Sequence, residues 1–249
     1  MVTITILNSE KCLEKLLEKR GMICPYGKAL YKYQISYLEF KQIQQVLRDT
    51  FKNQNLNRVS NSWASLFTIY VAEWFRREYK EGWTWEPILN SLWVIEMPVN
   101  TRNDLVTKGL NFWKRPLVKY TKANNYLGSI FKEGGFPSRL LKDDGNKYIS
   151  IFQKVISLYL ENKSAPYELR DVIQQELKSL PQAFEYDETL ELVIEIVKLI
   201  IEKVEEFDLD KHKDPIVVLD QKSKYWRNEF PLPIDDDKEI VDKFLRNLF

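Results

Sequence analysis

The chain has 249 residues, 44% of them hydrophobic and 29% charged, with 37 Lys plus Arg against 36 Asp plus Glu and a formal net charge of +1. That composition is ordinary for a folded globular protein, and eight Gly and ten Pro leave no room for a collagenous or low-complexity body. The near-zero total argues against a uniformly basic nucleic-acid binder and equally against an acidic solvating chain.

From Val2 to Leu7, branched apolar residues alternate with Thr, the period-2 pattern that predicts a short N-terminal strand. Helical signals follow. Asn8 and Ser9 can cap a helix carrying Leu13, Leu16 and Leu17, with Gly21 in the stop position. Ser36 and Glu39 have capping-box spacing, so hydroxyl and carboxylate can satisfy reciprocal backbone donors ahead of the stripe Leu38, Ile43, Val46, Leu47 and Phe51. Ser62 opens the next helix, where Trp63, Phe67, Tyr70, Val71 and Trp74 share one face. Shorter helices are predicted over 85–93 after Thr84, over 102–113 after Thr101, and from Asn124 or Asn125 to Gly134 and Gly135. Longer ones follow over 146–160, 166–180 and 188–207, and no fixed-period repeat is visible. Beyond Asp208 the character changes: 215–219 is strand-like, Phe230 to Pro233 reads as extended, and Asp235 to Asp237 can cap a last helix. The expectation is a mostly α fold, a multi-helix domain with a short N-terminal strand and a small extended element near the C-terminus. The helical domain would span 1–207, and 208–249 would hold the extended segment plus terminal helix. The tail from Phe244 to Phe249 stays apolar to its last residue, which suggests the start of a further region or a docked end.

Rare residues limit the chemistry. A structural zinc site wants four Cys or His ligands, and Cys12, Cys24 and His212 are the whole supply, so neither metal nor cofactor is expected. His212 lies among Asp210, Lys211, Lys213 and Asp214, a solvated setting unlike that of a catalytic imidazole packed on its carboxylate. No three glycines make a dinucleotide-binding turn, and Gly27-Lys28 is followed by Ala29 instead of a Walker-type hydroxyl. The best apolar run, Leu66 to Phe75, contains Glu73 and ends in Arg76 and Arg77, too short and polar to span a bilayer. With no secretory leader and two Cys, the reading is a cytoplasmic chain without a membrane partner.

Six of the seven Trp fall between Trp63 and Trp113. Their helical spacing points to a core, in which Glu73, Arg76, Arg77 and Glu86 would satisfy indoles and one another; the competing reading is a stacking platform for bases. Three motifs also carry a resemblance. The first is Leu66 to Arg77 with Trp83 to Leu89, including Trp74, Arg76, Arg77, Trp85 and Glu86. The second is Tyr126 to Ile130 with Glu133 to Leu141, including Gly134 and Gly135, and the third is Trp226 with Phe230 to Pro233. Over roughly residues 60 to 235 the chain resembles the N-terminal region of large bacterial proteins of phage-defence islands, similar to the large component of Druantia-like systems. That resemblance implies an interaction role in antiviral defence beside a helicase-like partner protein.

Neutrality also hides two opposite halves. Residues 1–142 hold 22 basic and 12 acidic residues, a net of +10, and 143–249 hold 15 and 24, a net of −9. In the basic window 102–142, Lys114, Arg115, Lys119, Lys122, Lys132 and Arg139 alternate with Phe112, Trp113, Tyr120, Tyr126, Phe131 and Phe136. Cations neutralise phosphates while rings stack on bases, so this window is the candidate DNA- or RNA-binding surface. The expected function is a non-catalytic interaction module that contacts a partner protein and nucleic acid. Two alternatives stay open: a pure scaffold, and a Mg²⁺-dependent nuclease built on Asp214, Asp220 and Lys222.

Overall fold

The computed structural model describes the backbone of residues 2–53, 59–79, 84–120, 123–161, 187–232 and 234–249. The helix predicted over 166–180 and residue Lys122 lie outside the described residues. The chain forms two compact units, one of residues 1–75 and 83–135, the other of 76–82 and 136–249. Residue 207, where the sequence changes character, is the C-terminal end of a helix within the second unit. No helix among the described residues is long and apolar enough to cross a membrane.

The first unit opens with helix α1 (Val2–Glu18), not with a strand. The alternation over 2–7 is only six residues long, and strand propensity yields readily to context. Positions 2, 6, 9, 13 and 16 also fall on one helical face, so the segment is in phase with the leucines that follow. Gly21, at φ 64, ends the turn after α1, a conformation that costs glycine little. Helix α2 (Tyr37–Asn53) packs on α1. Its capping box forms: Glu39 N–H donates to Ser36 Oγ at 3.3 Å, and Ser36 N–H donates to Glu39 Oε2 at 2.9 Å.

Helix α3 (Asn61–Glu78) is buried on every side from Trp63 to Arg77. Ser60 Oγ, two residues earlier than the predicted Ser62, accepts Trp63 N–H at 3.2 Å. Short α4 (Glu86–Ser91) and α5 (Val99–Phe112) follow, then a two-residue antiparallel ladder of β1 (Lys119–Tyr120) and β2 (Ala123–Asn124). Helix α6 (Tyr126–Gly134) is capped as predicted by Asn125, whose side chain accepts Gly128 N–H at 2.8 Å. Two glycines let backbones approach α3. A Cβ on Gly109 would strike Thr68 and the Ala64 carbonyl, and one on Gly134 would strike the Ala72 carbonyl. Trp113, fully buried, donates its indole N–H to Ser65 O at 3.0 Å. Burying such a side chain contributes on the order of 2–3 kcal/mol.

The second unit contains α7 (Ser138–Glu161), α8 (Asp187–Phe207), α9 (Pro215–Lys222) and α10 (Ile234–Arg246). Helix α7 packs on α8 and α10, and the rings of Phe136, Phe152 and Phe244 meet edge-on at 5.6 and 5.0 Å between centroids. The strand-like run at 215–219 is helical: Asp214 caps it and Pro215 fills the first turn, where a missing N–H is harmless. The extended element expected at 230–233 is a bend at residues 230–232, with Phe230 and Leu232 buried, and Pro231 O accepts Phe136 N–H at 2.6 Å. The apolar tail packs within its own unit, where Phe244, Leu245 and Leu248 are buried.

Candidate interaction surface

The six predicted nucleic-acid contacts are not equivalent. Arg115 Nε sits 2.8 Å from both oxygens of Glu133 on α6, and its Nη1 donates to Gly27 O at 2.7 Å. Leu30 N–H adds a bond to Glu133 Oε2 at 3.2 Å, so this pair ties the 27–30 segment to α6. Burial pushes the Glu133 carboxyl above the ordinary carboxylate range even with Arg115 against it. Arg139 pairs with Glu78 at 2.9 Å. Lys114 is exposed, at φ 56 just past α5, and Lys132 is half-buried on α6. Lys119 lies on β1. Of the interleaved rings, Trp113, Phe131 and Phe136 are buried, and Phe112 and Tyr126 are half-buried.

The motif residues other than Glu86 are packing or turn residues. Trp74, Arg76 and Arg77 are buried on α3. Trp85 stacks on Phe67 at 6.2 Å with the Arg102 guanidinium 5.0 Å from its centroid, while Glu86 is exposed in the first turn of α4. Gly134 is a close-approach position, and Gly135, at φ 83, follows α6.

The carboxylates near 214–222 face cations of their own unit. Asp214 caps α9 and pairs with Arg246. Asp220 accepts from the Trp226 indole at 2.9 Å and from Arg227 Nη1 and Nη2. The Arg227 hydrogen bonds hold the Asp220 carboxyl below its usual range. Arg227 also reaches Asp242 through Nε at 2.7 Å and lies over the Trp226 ring at 4.5 Å. Lys222 and His212 are exposed, and no group of three His, Cys, Asp or Glu able to hold a metal occurs among the described residues.

A feature that the sequence reasoning missed lies between α4 and α5. Trp93 is 69% exposed, against the core expected of the Trp cluster, with Ile95 97% and Val99 57% exposed beside it in sequence. Its φ of 61 is left-handed, an uncommon conformation for so bulky a residue. The guanidinium of Arg48 stacks on its ring at 4.1 Å and donates to Ser91 O through Nε at 3.0 Å and Nη2 at 2.7 Å. Buried Gln44 donates to the same carbonyl at 3.1 Å and to Tyr70 Oη at 2.8 Å, and Tyr70 Oη lies 2.7 Å from Ser91 Oγ. Val94 and Met97 are buried beneath the loop. The indole is therefore displayed from a fixed support. The only hint in sequence is the place of Trp93, two residues past the last helical position of α4.

A cleft of about 240 Å³ lies between α1 and α2, lined by Leu16, Leu38, Ile43, Lys15, Lys19 and Cys12 among others. Burial pushes the Cys12 thiol up to about 11, which leaves it neutral near pH 7.

A family model described as the YjiT N-terminal domain matches residues 5–136, and one described as the YjiT second domain matches 143–249. Protein YjiT of Escherichia coli (strain K12) is 31% identical over 231 residues, covering 90% of this chain and 44% of that protein. The chain thus spans less than half the length of this curated relative. No solved structure matches it. These matches overturn the resemblance to a Druantia-like large component: the first and third motifs fall within YjiT domains, and the second runs from the first of them into the gap between the two. The chain belongs to the YjiT family.

Proposed function

We propose that this member of the YjiT family is a non-catalytic interaction module that presents its first unit to a partner protein and to nucleic acid, in the cytoplasm, where Cys12 and Cys24 are free thiols. The observation that carries this reading is the uneven distribution of exposed apolar side chains. Of the ten large ones among the described residues, seven belong to the first unit, led by Ile23 at 98% and Ile95 at 97%. Exposed apolar groups gathered on one body suit a binding surface better than scattered ones do. Charge supports the nucleic-acid component: the first unit holds 17 basic and 10 acidic residues, a net of +7, and the second holds 20 and 26, a net of −6.

The test is salt-dependent binding of DNA and RNA by the full chain, comparing the wild type with Lys114→Glu, Lys119→Glu and Lys122→Glu combined. Arg115 is left intact because it holds Glu133. Binding should weaken, and the slope of log affinity against log salt should flatten by roughly two to three. No low-salt shift of the wild type with either nucleic acid removes that component and leaves a protein scaffold. No specific observation favours the nuclease reading, since Asp214 and Asp220 already serve as a helix cap and as partners of Arg246 and Arg227.

A further inference from the structure

The rim formed by residues 91–99 combines an apolar centre with two charges that do not meet each other. Trp93, Ile95 and Val99 supply the centre. Arg48 spends Nε and Nη2 on Ser91 O, and its Nη1 has no acceptor among the described residues. Glu96 is exposed next to Ile95 in sequence, and its carboxylate has no partner among the described residues.

We propose that this rim is a self-association surface on which a second copy of the chain docks its own 93–99 loop about a two-fold axis. A two-fold interface must be self-complementary, because whatever residue i meets on the partner, the partner meets on residue i. A patch holding one unpaired cation, one unpaired anion and an apolar centre satisfies that condition. Arg48 faces the partner's Glu96, the same pair repeats across the axis, and Trp93 packs with Ile95 and Val99 between them. The rim is also ready-made. The Gln44, Tyr70 and Ser91 bonds fix the loop before contact, so association orders little that is not already ordered.

A stacking platform for nucleic acid fits less well. Ile95 and Val99 present no ring face to a base, and Glu96 repels phosphate. The inference goes beyond the partner-binding role proposed above, which does not require it. Three side chains make less than the ~800 Å² per partner of a standard interface, so the dimer is weak, half-formed somewhere between roughly ten and several hundred micromolar.

Sedimentation equilibrium of the 249-residue chain over about 5 to 500 µM tests it, with the range set by that weak association. The wild type should pass from monomer to dimer. Ile95→Asp and Glu96→Arg, both at exposed side chains, should each raise the midpoint at least about tenfold. Arg48→Glu should do the same, and the double variant Arg48→Glu/Glu96→Arg should recover most of the loss. Equimolar Arg48→Glu and Glu96→Arg proteins should form a mixed dimer more readily than either forms its own. Because Arg48 also supports Ser91, a melting curve accompanies that variant, and Ile95→Asp and Glu96→Arg remain decisive if it unfolds. A wild type that stays monomeric throughout overturns the proposal. So does a dimer that Ile95→Asp and Glu96→Arg leave unchanged, and so does oligonucleotide binding lost in Trp93→Ala with no change in association.

Discussion

Replacing Glu39 with Gln removes the charge at the junction of α1 and α2 while keeping the side chain's size. In the native protein Arg20 reaches both carboxylate oxygens, at 3.0 and 2.9 Å, Ser36 donates from backbone and hydroxyl, and Lys19 lies at 3.3 Å. Burial works against the charged form, yet the Arg20 and Ser36 hydrogen bonds win and bring the carboxyl down to about 2 from its ordinary 4.5. The Glu39 side chain is 11% exposed and that of Arg20 15%, so solvent screens the pair only in part. At about 1.4 kcal/mol for each tenfold change in ionisation, the depression is worth about 3 kcal/mol at neutral pH. The sign follows from its direction. A carboxyl depressed in the folded state stabilises above its unfolded value of about 4.5, and that contribution is lost as pH falls through the interval down to about 2. Urea unfolding followed by Trp fluorescence reads the right body, since six of the seven Trp belong to the first unit. The wild type should exceed Glu39→Gln by about 3 kcal/mol at pH 7 and by about 2 kcal/mol at pH 3.5. A difference under about 1 kcal/mol at pH 7, or one that stays flat down to pH 3.5, refutes the reasoning.

Other positions yield comparable tests. Gly109→Ala and Gly134→Ala, each forcing a methyl into the backbone or Thr68 of α3, should each cost about 1–3 kcal/mol or more in thermal or urea melts. Arg227→Met strands Asp220 and Asp242 and unstacks Trp226. With Asp220 nearly half exposed, a loss of about 2–3 kcal/mol and a changed near-ultraviolet signal from Trp226 are expected. Of the two thiols, exposed Cys24 should react with a disulfide reagent at once at pH 7.5, whereas Cys12 should lag and accelerate as pH climbs toward 11. Two equal fast phases in the native protein would contradict the burial of Cys12.

What was legible in the sequence was local. The Ser36 and Glu39 cap and the Asn125 cap need only neighbours within one turn and form as read, whereas the Trp63, Phe67 and Trp74 face is buried on a helix that is buried on its other sides as well. The N-terminal strand and the strand at 215–219 failed for the opposite reason. Short β-branched runs carry no periodicity long enough to outweigh a cap or a continuing helix, and the Asp214–Pro215 pair was the better signal. The basic window was legible as composition but not as geometry. Charge counts cannot reveal that Arg115 and Arg139 find Glu133 and Glu78 at separations of 18 and 61 residues. Trp93 was hidden by the rule that served its neighbours, since a Trp at the end of a buried cluster reads as another core residue.

The backbone at Trp93 sets two demands against each other. Glycine would sit at φ 61 with little strain, so Trp93→Gly should relieve about 1 kcal/mol at that turn. It would also delete the ring on which Arg48 rests and the apolar centre of the rim. Backbone strain at this position favours glycine, whereas the Arg48 contact, of about 0.5–2 kcal/mol, and the apolar rim favour the indole. A library that randomises residue 93 and sorts separately for melting temperature and for association should therefore return two different winners.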